Sequence, residues 1–355
     1  MDFVFFGLSI TSSWGNGHAS TYRGLLRALH RRGHRLTFFE RNVEWYASNR
    51  DLPEATFAAI RPYADWAEVR DAAFAAVHDA DAVIVGSFFP DAIRLLDAAL
   101  GHTRAQVCFY DIDTPITVQG LRAGRCSYLR ADQIPALDLY LSFAGGPLLD
   151  DVRNLWGARR AAPLYCSCEP NVVQQAGNRP AAQEVDLSYM GTFTPDRQAK
   201  LRRLFMTPAQ RLPEARFRIA GPLFPDVGDW PRNVGYQYHL SPREHCSFYR
   251  SSRFTLNLTR QAMAEAGYSP SVRLFEAAAC GVPIITDHWP GMSDFFDPGT
   301  EILTASNADE VVEYVTNFSP AHRDLIAAAA WNRLRDQHTP AHRALTLERY
   351  LGELS

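Results

Sequence analysis

The sequence SPSVRLFEAAACGVPIITD, residues 269–287, decides the fold of this 355-residue chain. Its pattern predicts a loop, a short helix over 271–280, a stop at Gly281 and then a buried strand over 283–286. Most of the helix is small and apolar, which is typical of a helix packed on a sheet. A helix followed at once by an apolar strand is the repeating unit of a parallel sheet with helices on both faces.

Arg273 and Glu276 lie one helical turn apart at the start of this helix. A helix start has unpaired N–H groups and a partial positive charge, which favour an anion. Arginine adds a planar fork for phosphate, and glutamate accepts two hydroxyl hydrogens of a ribose. The pair therefore predicts a nucleoside-diphosphate site. The same spacing is also that of an ordinary ion pair on a helix surface. The apolar residues on both sides of Glu276 favour a functional role, because charged residues are seldom buried without one.

The rest of the chain repeats the alternation of strand and helix in two halves. The predicted strands cover 3–10, 35–39, 82–86, 106–110, 139–143, 187–191, 217–221, 254–258, 283–286 and 301–304. We therefore predict an α/β fold with two Rossmann-like, doubly wound parallel sheets and a ligand cleft between them. The predicted parts are a first domain, a linker rich in proline and polar residues, a second domain and a C-terminal helix, over 1–160, 161–186, 187–335 and 336–355.

Composition and charge argue against several function classes. The net charge of −3 and a pI near 6.4 argue against a nucleic-acid or membrane surface as partner. The six cysteines lack paired metal-ligand spacing and are expected to be reduced. The N-terminus lacks the basic segment of a signal peptide, and no apolar run reaches the ~20 residues of a membrane span. We predict a cytoplasmic protein without a transmembrane segment. Lys200 is the only lysine among many arginines, which fits a GC-rich bacterial genome.

The loop after the first strand carries a candidate catalytic residue. It contains Trp14, Gly15, Asn16 and Gly17, followed by His18 just before a helix. The glycines permit tight turns, and an imidazole with a pKa near neutrality can act as a general base. By position alone, His18 is equally a capping or solvent-exposed residue.

Two acids, Asp111 and Asp113, follow another apolar strand. They are candidates for orienting a base or for binding acceptor hydroxyls. The letters Asp-x-Asp also mark a metal-diphosphate site in the GT-A glycosyltransferase fold, and Asp113-Thr-Pro can simply form a turn.

Loops after the strands of the second half offer further polar groups for a phosphate, a base or a sugar. Glycine and threonine before a helix can hold phosphate through backbone N–H groups. The candidates are Gly191, Thr192, Arg197, Gly221, Asn257, Thr259, Arg260 and Ser271.

Taken in order, these motifs resemble the group 1 superfamily of GT-B glycosyltransferases, and most of all the branch named for the spore-maturation protein CgeB. The matching text is MGT…PDR over 190–197, LNLTR over 256–260, the stretch 269–287, and PG…FF…PGTEIL over 290–303. The resemblance is specific over about 187–315 and looser in the first half, at 14–18, 40–46 and 111–115.

The resemblance implies an acceptor-binding first domain, a nucleotide-sugar-binding second domain and a C-terminal helix that crosses back onto the first. Trp14, Gly15, Asn16, Gly17 and Asp111 then belong to the acceptor side, with His18 or Asp113 as the base. Arg197, Arg273 and the loop residues of the second half then bind the donor.

Glu276 matches the second glutamate of the E-x7-E motif, which holds the ribose, whereas Tyr268 stands where the first glutamate is expected. The implied activity is metal-independent transfer of a hexosyl or related group to an acceptor hydroxyl on a small molecule or glycan. The donor is a UDP, dTDP or GDP sugar, acting as co-substrate without a further cofactor.

Three alternatives remain at this stage. The pattern Gly15-x-Gly17-x-x-Ser20 with Glu40 imitates an NAD-binding oxidoreductase. The tyrosine at 268 is compatible with a non-catalytic relative that only binds a nucleotide sugar. A GT-A enzyme would use Asp111 and Asp113 for Mn²⁺.

Overall fold

The computed structural model describes residues 1–14, 16–52, 54–170, 183–225 and 227–354. The chain forms two compact units, one of residues 1–166 with 340–355 and the other of residues 167–339. Each unit contains a parallel β-sheet. The α/β class with two Rossmann-like sheets is therefore confirmed.

Within the described residues, the first unit holds a seven-stranded parallel sheet. Its strands are β1 (Asp2–Gly7), β2 (Arg35–Arg41), β3 (Ala59–Tyr63), β4 (Ala82–Gly86), β5 (Gln106–Asp111), β6 (Leu139–Ser142) and β7 (Ala161–Pro163), in the order β3-β2-β1-β4-β5-β6-β7. Phe3 and Phe5 of β1 join the core on one face of the sheet, whereas Val4 and Phe6 join the core on the other. Both faces are thus buried, which explains the near-continuous apolar strands.

Helices connect these strands. They are α1 (Gly17–Arg31), α2 (Glu44–Ala47), α3 (Trp66–Asp79), α4 (Ala92–Ala99), α5 (Thr114–Arg122) and α6 (Pro147–Trp156). Leu25, Leu26 and Leu29 of α1 are buried against the Phe3 and Phe5 side of the sheet. Full burial of each such side chain contributes about 1.5–3 kcal/mol.

The second unit repeats the topology with six strands among its described residues. They are β8 (Val185–Met190), β9 (Phe217–Ala220), β10 (Val234–Gln237), β11 (Ser252–Asn257), β12 (Ile284–Thr286) and β13 (Leu303–Thr304), in the order β10-β9-β8-β11-β12-β13. Its helices are α7 (Gln198–Leu201), α8 (Thr207–Arg211), α9 (Pro242–Arg250), α10 (Gln261–Ala266), α11 (Val272–Ala279), α12 (Ala308–Asn317) and α13 (Pro320–Gln337). A π-helical turn over Arg202–Met206 joins α7 to α8.

The last helix, α14 (Pro340–Gly352), belongs to the first unit. Leu347 and Leu351 are buried in the same core as α1. A Cβ at Gly24 of α1 would lie 2.9 Å from Cγ of Pro340, so glycine permits this close packing. The predicted boundaries at 160 and 335 thus differ from the observed division at 166 and 339. The predicted linker includes β7, and its residues 171–182 lie outside the described ranges.

In both sheets the strand order reverses beside the first strand, between β1 and β4 and between β8 and β11. Loops at the carboxyl ends of such strands diverge to opposite faces and leave a crevice, where α/β proteins bind ligands. In the described ranges, no helix combines the length and apolar character that crossing a membrane requires.

The loops after β8 and β9 approach each other so closely that position 221 requires glycine. Gly221 has φ of +141°, and a Cβ there would lie 2.1 Å from the carbonyl oxygen of Gly191. We expect Gly221→Ala to destabilise the second unit by roughly 2–4 kcal/mol, combining overpacking with backbone strain. Urea unfolding measures this change.

Gly235→Ala is the matched control, because the nearest atom to its Cβ would lie 3.7 Å away and its φ is ordinary. Equal effects of the two substitutions would contradict the packing argument.

Candidate active site

His18 lies in the crevice of the first sheet, where a network of hydrogen bonds fixes the loop after β1. Asn16 caps α1 by accepting the His18 N–H at 3.2 Å. Its amide donates to the carbonyls of Ser9 at 2.7 Å and Ser12 at 3.2 Å. Asn16 is thus buried and holds the loop rather than presenting a group to an acceptor.

His18 and Asp113 come together although 94 residues lie between them in the sequence. His18 Nε2 is 3.8 Å from Asp113 Oδ2, and about a fifth of each side chain is exposed. The Asp113 carboxylate makes no capping bond to α5, which leaves it free to face the imidazole. The ring of His18 also lies 5.8 Å from that of Phe88, a residue with φ of +63° in the loop after β4. A partly exposed imidazole beside a carboxylate suits a general base.

Asp111, in contrast, is fully buried at the end of β5. One of its oxygens accepts hydrogen bonds from Thr117 Oγ1 at 2.8 Å and from the Asp113 N–H at 3.2 Å, and the other accepts from Tyr140. This placement gives Asp111 a role in positioning Asp113. Asp111 was expected to contact the acceptor, and the structure contradicts this, because a fully buried carboxylate cannot reach an acceptor. Of the other expected acceptor residues, Trp14 is partly exposed and Gly17 is exposed at the start of α1, whereas Gly15 lies outside the described residues.

Glu40, the acid of the NAD-like pattern, is buried, and its carboxylate binds the loop after β1. Its carboxylate accepts the Ile10 N–H at 2.6 Å and the Thr11 N–H at 3.1 Å, and also a bond from Ser9 Oγ at 3.2 Å. These contacts leave it no role as a ribose ligand.

In the second unit, Arg273 links the loops after β8 and β11. Its guanidinium donates to the Leu258 carbonyl at 3.3 Å and to Asn257 Oδ1 at 3.5 Å. A Cβ at Gly191 would lie 3.0 Å from Arg273 Nη1, so this arginine lies against the glycine of the first loop. Arg273 therefore occupies the crevice of the second sheet.

Arg197 and Arg260 lie near Arg273. Arg197 is buried and donates to the Thr192 carbonyl at 2.6 Å and to Thr194 Oγ1 at 2.8 Å. Burial lowers the pKa of Arg197 to about 10, and the charges of Arg273 and Arg260 act in the same direction. Such a concentration of positive charge favours an anionic ligand.

Two further groups at this edge are buried without a hydrogen-bond partner in the described part of the chain. They are Thr259 Oγ1 and Arg260 Nε, the latter 3.8 Å from Asp196 Oδ2. Because buried polar atoms are normally paired, these two are open to a ligand.

Ser271 caps α11 by accepting the Arg273 N–H at 3.3 Å. Glu276 lies one turn further along and is 15% exposed in its side chain. Within the described residues, its one ion-pair partner is His245, at 4.0 Å. Tyr268, before this helix, has φ of +47°, and its ring lies against the backbone of Gly291.

The sequence interpretation missed Lys200 and Asp287. Lys200 Nζ donates to Asp287 Oδ2 at 2.7 Å and to the Thr259 carbonyl at 2.9 Å, while Asp287 Oδ1 accepts the Thr259 N–H at 2.8 Å. This buried pair fixes the loop that carries Thr259 and Arg260. The available signals were that Lys200 is the only lysine and that Asp287 directly follows an apolar strand.

The buried Asp111 gives stability a predicted pH dependence. Burial raises its pKa from 3.8 to about 6, against the effect of the bonds from Tyr140 and Thr117. Since the folded pKa exceeds the unfolded value, the stabilisation is complete below the unfolded pKa and is lost as pH rises through about 6. We expect Asp111→Asn to gain stability relative to wild type by roughly 1–3 kcal/mol between pH ~4 and pH ~7.5, measured by urea unfolding.

Asp132→Asn is the control for this prediction, because the exposed Asp132 has its pKa lowered by the hydrogen bond from Arg130. Between the same two pH values, Asp132→Asn should change the free energy of unfolding only slightly relative to wild type, and in the opposite direction. A pH-independent difference between Asp111→Asn and wild type would contradict the prediction.

One family model matches part of this chain. Residues 197–349 match a family model described as glycosyl transferase-like. No curated protein matches the sequence.

Solved structures with the same fold align over almost the whole chain. An alpha-glucosyltransferase in complex with UDP and a 13-mer DNA has a TM-score of 0.75 at 13% identity, with 99% of each chain covered. Sucrose-phosphate synthase from Thermosynechococcus elongatus has a TM-score of 0.69 at 11% identity, covering 99% of this chain and 98% of that one. Anabaena Alr3699/HepE in complex with UDP and glucose has a TM-score of 0.70 at 13% identity, covering 99% and 100%.

At these identities the structural likeness shows the fold alone, which is GT-B, so the GT-A alternative is wrong. The match to the CgeB-like branch stays a prediction. The family-model match and the GT-B fold together support a glycosyltransferase enzyme.

Proposed function

We propose that the protein transfers a glycosyl group from a nucleoside-diphosphate sugar to a hydroxyl acceptor, without a metal ion. The observation that carries the proposal is the placement of Arg273 against the loops after β8 and β11, with Glu276 one turn further along the same helix. A phosphate binder and a ribose binder at this spacing fit a nucleoside diphosphate. We propose UDP as the nucleotide, because structures of the same fold are described with UDP bound.

Each group has a role in the proposed reaction. The acceptor oxygen attacks the anomeric carbon and loses its proton to His18 Nε2, while Asp113 stabilises the resulting imidazolium. The bond between the anomeric carbon and the phosphate oxygen breaks, and the diphosphate leaves with the electron pair. Arg197, Arg273 and the start of α11 stabilise its charge, which is typically worth about 3–4 kcal/mol per well-placed donor.

The acceptor in this proposal is a small molecule or glycan, and the protein is a cytoplasmic, CgeB-like enzyme. The alpha-glucosyltransferase of similar fold is described with DNA. We favour a carbohydrate or other hydroxyl compound here because the net charge of −3 provides little attraction for a polyanion.

The donor site is tested first with a panel of UDP, GDP, dTDP, ADP and NAD in thermal unfolding. A ligand at ~100 times its dissociation constant adds about 2.7 kcal/mol of stability. A shift with UDP supports the proposal, whereas a shift with NAD alone would overturn it. UDP binding without release of UDP from any UDP-sugar would instead indicate a non-catalytic relative.

Glu276→Ala should weaken UDP binding by ~1–3 kcal/mol, because two charged hydrogen bonds to the ribose are lost. Isothermal titration calorimetry with UDP and with 2′,3′-dideoxy-UDP isolates that contact. Wild type should prefer UDP, and the variant should bind both nucleotides equally.

Glu313→Ala, an exposed glutamate of α12, is the matched control. If Glu276→Ala still prefers UDP as strongly as wild type does, Glu276 does not hold the ribose.

His18→Ala should reduce turnover by ~10²–10⁴-fold and leave UDP affinity unchanged, since a base acts on the acceptor and not on the nucleotide. The readout is UDP released from UDP-glucose. His30→Ala, an exposed histidine in the last turn of the same helix, is the control. Near-normal turnover in His18→Ala would assign the base to another residue.

A further inference from the structure

Trp45 is an exposed aromatic residue in a position that the fold does not require. It lies on α2, directly after β2 at the carboxyl edge of the first sheet, and is 54% exposed. None of the four residues of α2 is buried, so the indole contributes nothing to the hydrophobic core. Because α/β sheets bind ligands beside the carboxyl ends of their strands, an exposed aromatic ring at the same sheet edge as His18 is a candidate ligand contact.

The structure holds Trp45 in place. The ring of Tyr46 packs at 5.8 Å with an interplanar angle of 63°. The Asn49 amide donates to the Trp45 carbonyl at 2.8 Å, and the Asn49 carbonyl accepts from Ser12 Oγ at 2.8 Å. These bonds fix the backbone of Trp45 to the loop that follows β1, and the Tyr46 ring is the neighbour of the indole.

The same network continues to the candidate base. The Ser12 carbonyl accepts from the Asn16 amide at 3.2 Å, and Asn16 accepts the His18 N–H at 3.2 Å. Four hydrogen bonds therefore connect Trp45 with His18 through Asn49, Ser12 and Asn16. These bonds fix the segment that carries Trp45 relative to the segment that carries His18, so one bound molecule can contact both side chains.

The charges around Trp45 indicate an uncharged ligand. Arg23 is paired with Asp51 in two bonds of 2.8 Å, and Arg41 with Asp91 at 3.9 Å. Arg50 donates to the neutral amide oxygen of Asn42, and the exposed Glu44 offsets its charge. A phosphate backbone requires cations that are not already engaged. The exposed Glu44 beside the indole would also repel it.

We propose that Trp45 is the stacking platform of an acceptor subsite that takes the pyranose ring of a neutral glycan, an inference that rests on the proposed function. The face of an indole carries partial negative charge. The C–H groups on one face of a pyranose carry partial positive charge and form a flat apolar surface. Stacking of the two would present a sugar hydroxyl to His18.

The test applies the full-length protein to an array of defined neutral oligosaccharides and to single-stranded and duplex DNA 20-mers. We expect wild type to bind at least one glycan and Trp45→Ala to bind it ~10-fold more weakly, a loss of about 1.4 kcal/mol. Trp45→Phe should keep most of the affinity. Leu155→Ala removes another exposed apolar side chain of this unit, 59% exposed, and should have no effect.

The thermal shift with UDP, measured on the same proteins, separates this inference from the proposed function. The shift in unfolding temperature with UDP should be equal in wild type and the three variants. An equal shift also shows that the variants are folded. No glycan bound by wild type, full glycan affinity in Trp45→Ala, or binding of DNA in place of glycans would each overturn the subsite, even where UDP binding and UDP-glucose turnover persist. Glycan binding through Trp45 without any response to UDP would keep the carbohydrate site and overturn the proposed function.

Discussion

Both candidate sites depend on one constraint, the burial of parallel strands whose order reverses beside the first strand of each sheet. Parallel pairing places all carboxyl ends at one edge, and the reversal separates the loops after β1 and β4 and those after β8 and β11. His18 and Phe88 lie at the first of these positions, and Arg273 lies at the second. Residues far apart in sequence therefore meet without any local motif that unites them.

Buried carboxylates hold the loops at these positions. Glu40 binds the backbone of the loop after β1, Asp111 binds the backbone of Asp113, and Asp287 binds the Thr259 N–H and Lys200. Each carboxylate lies at the end of a strand and accepts at least one backbone N–H, a bond that a carboxylate makes more strongly than a neutral acceptor does. Sequence patterns that suggest an NAD site at Glu40 or a metal site at Asp111 therefore have a structural explanation.

The sequence patterns predicted the central strands of both sheets but missed three edge strands. β3, β7 and β10 are edge strands of their sheets, and none appeared in the prediction. An edge strand is partly exposed and tolerates proline, as in the Ala-Ile-Arg-Pro-Tyr of β3, so it loses the apolar run that identifies a central strand. In the site, the spacing of Arg273 and Glu276 was visible on one helix. The pairing of His18 with Asp113 and of Lys200 with Asp287 was not, because each is formed by tertiary structure alone.

Tyr268 shows why a departure from the resembling family cannot be treated as a single replacement. Its left-handed backbone costs about 1–3 kcal/mol and persists because the surroundings enforce it. The Tyr268 N–H donates to the Pro290 carbonyl at 2.7 Å, and a Cβ at Gly291 would lie 2.3 Å from the tyrosine ring. Tyrosine at 268 and glycine at 291 thus fit each other. The loop before α11 is built around an aromatic ring, so a carboxylate at 268 would leave the space over Gly291 unfilled. In the function that we propose, the sugar contacts that the E-x7-E motif assigns to its first glutamate come from other groups.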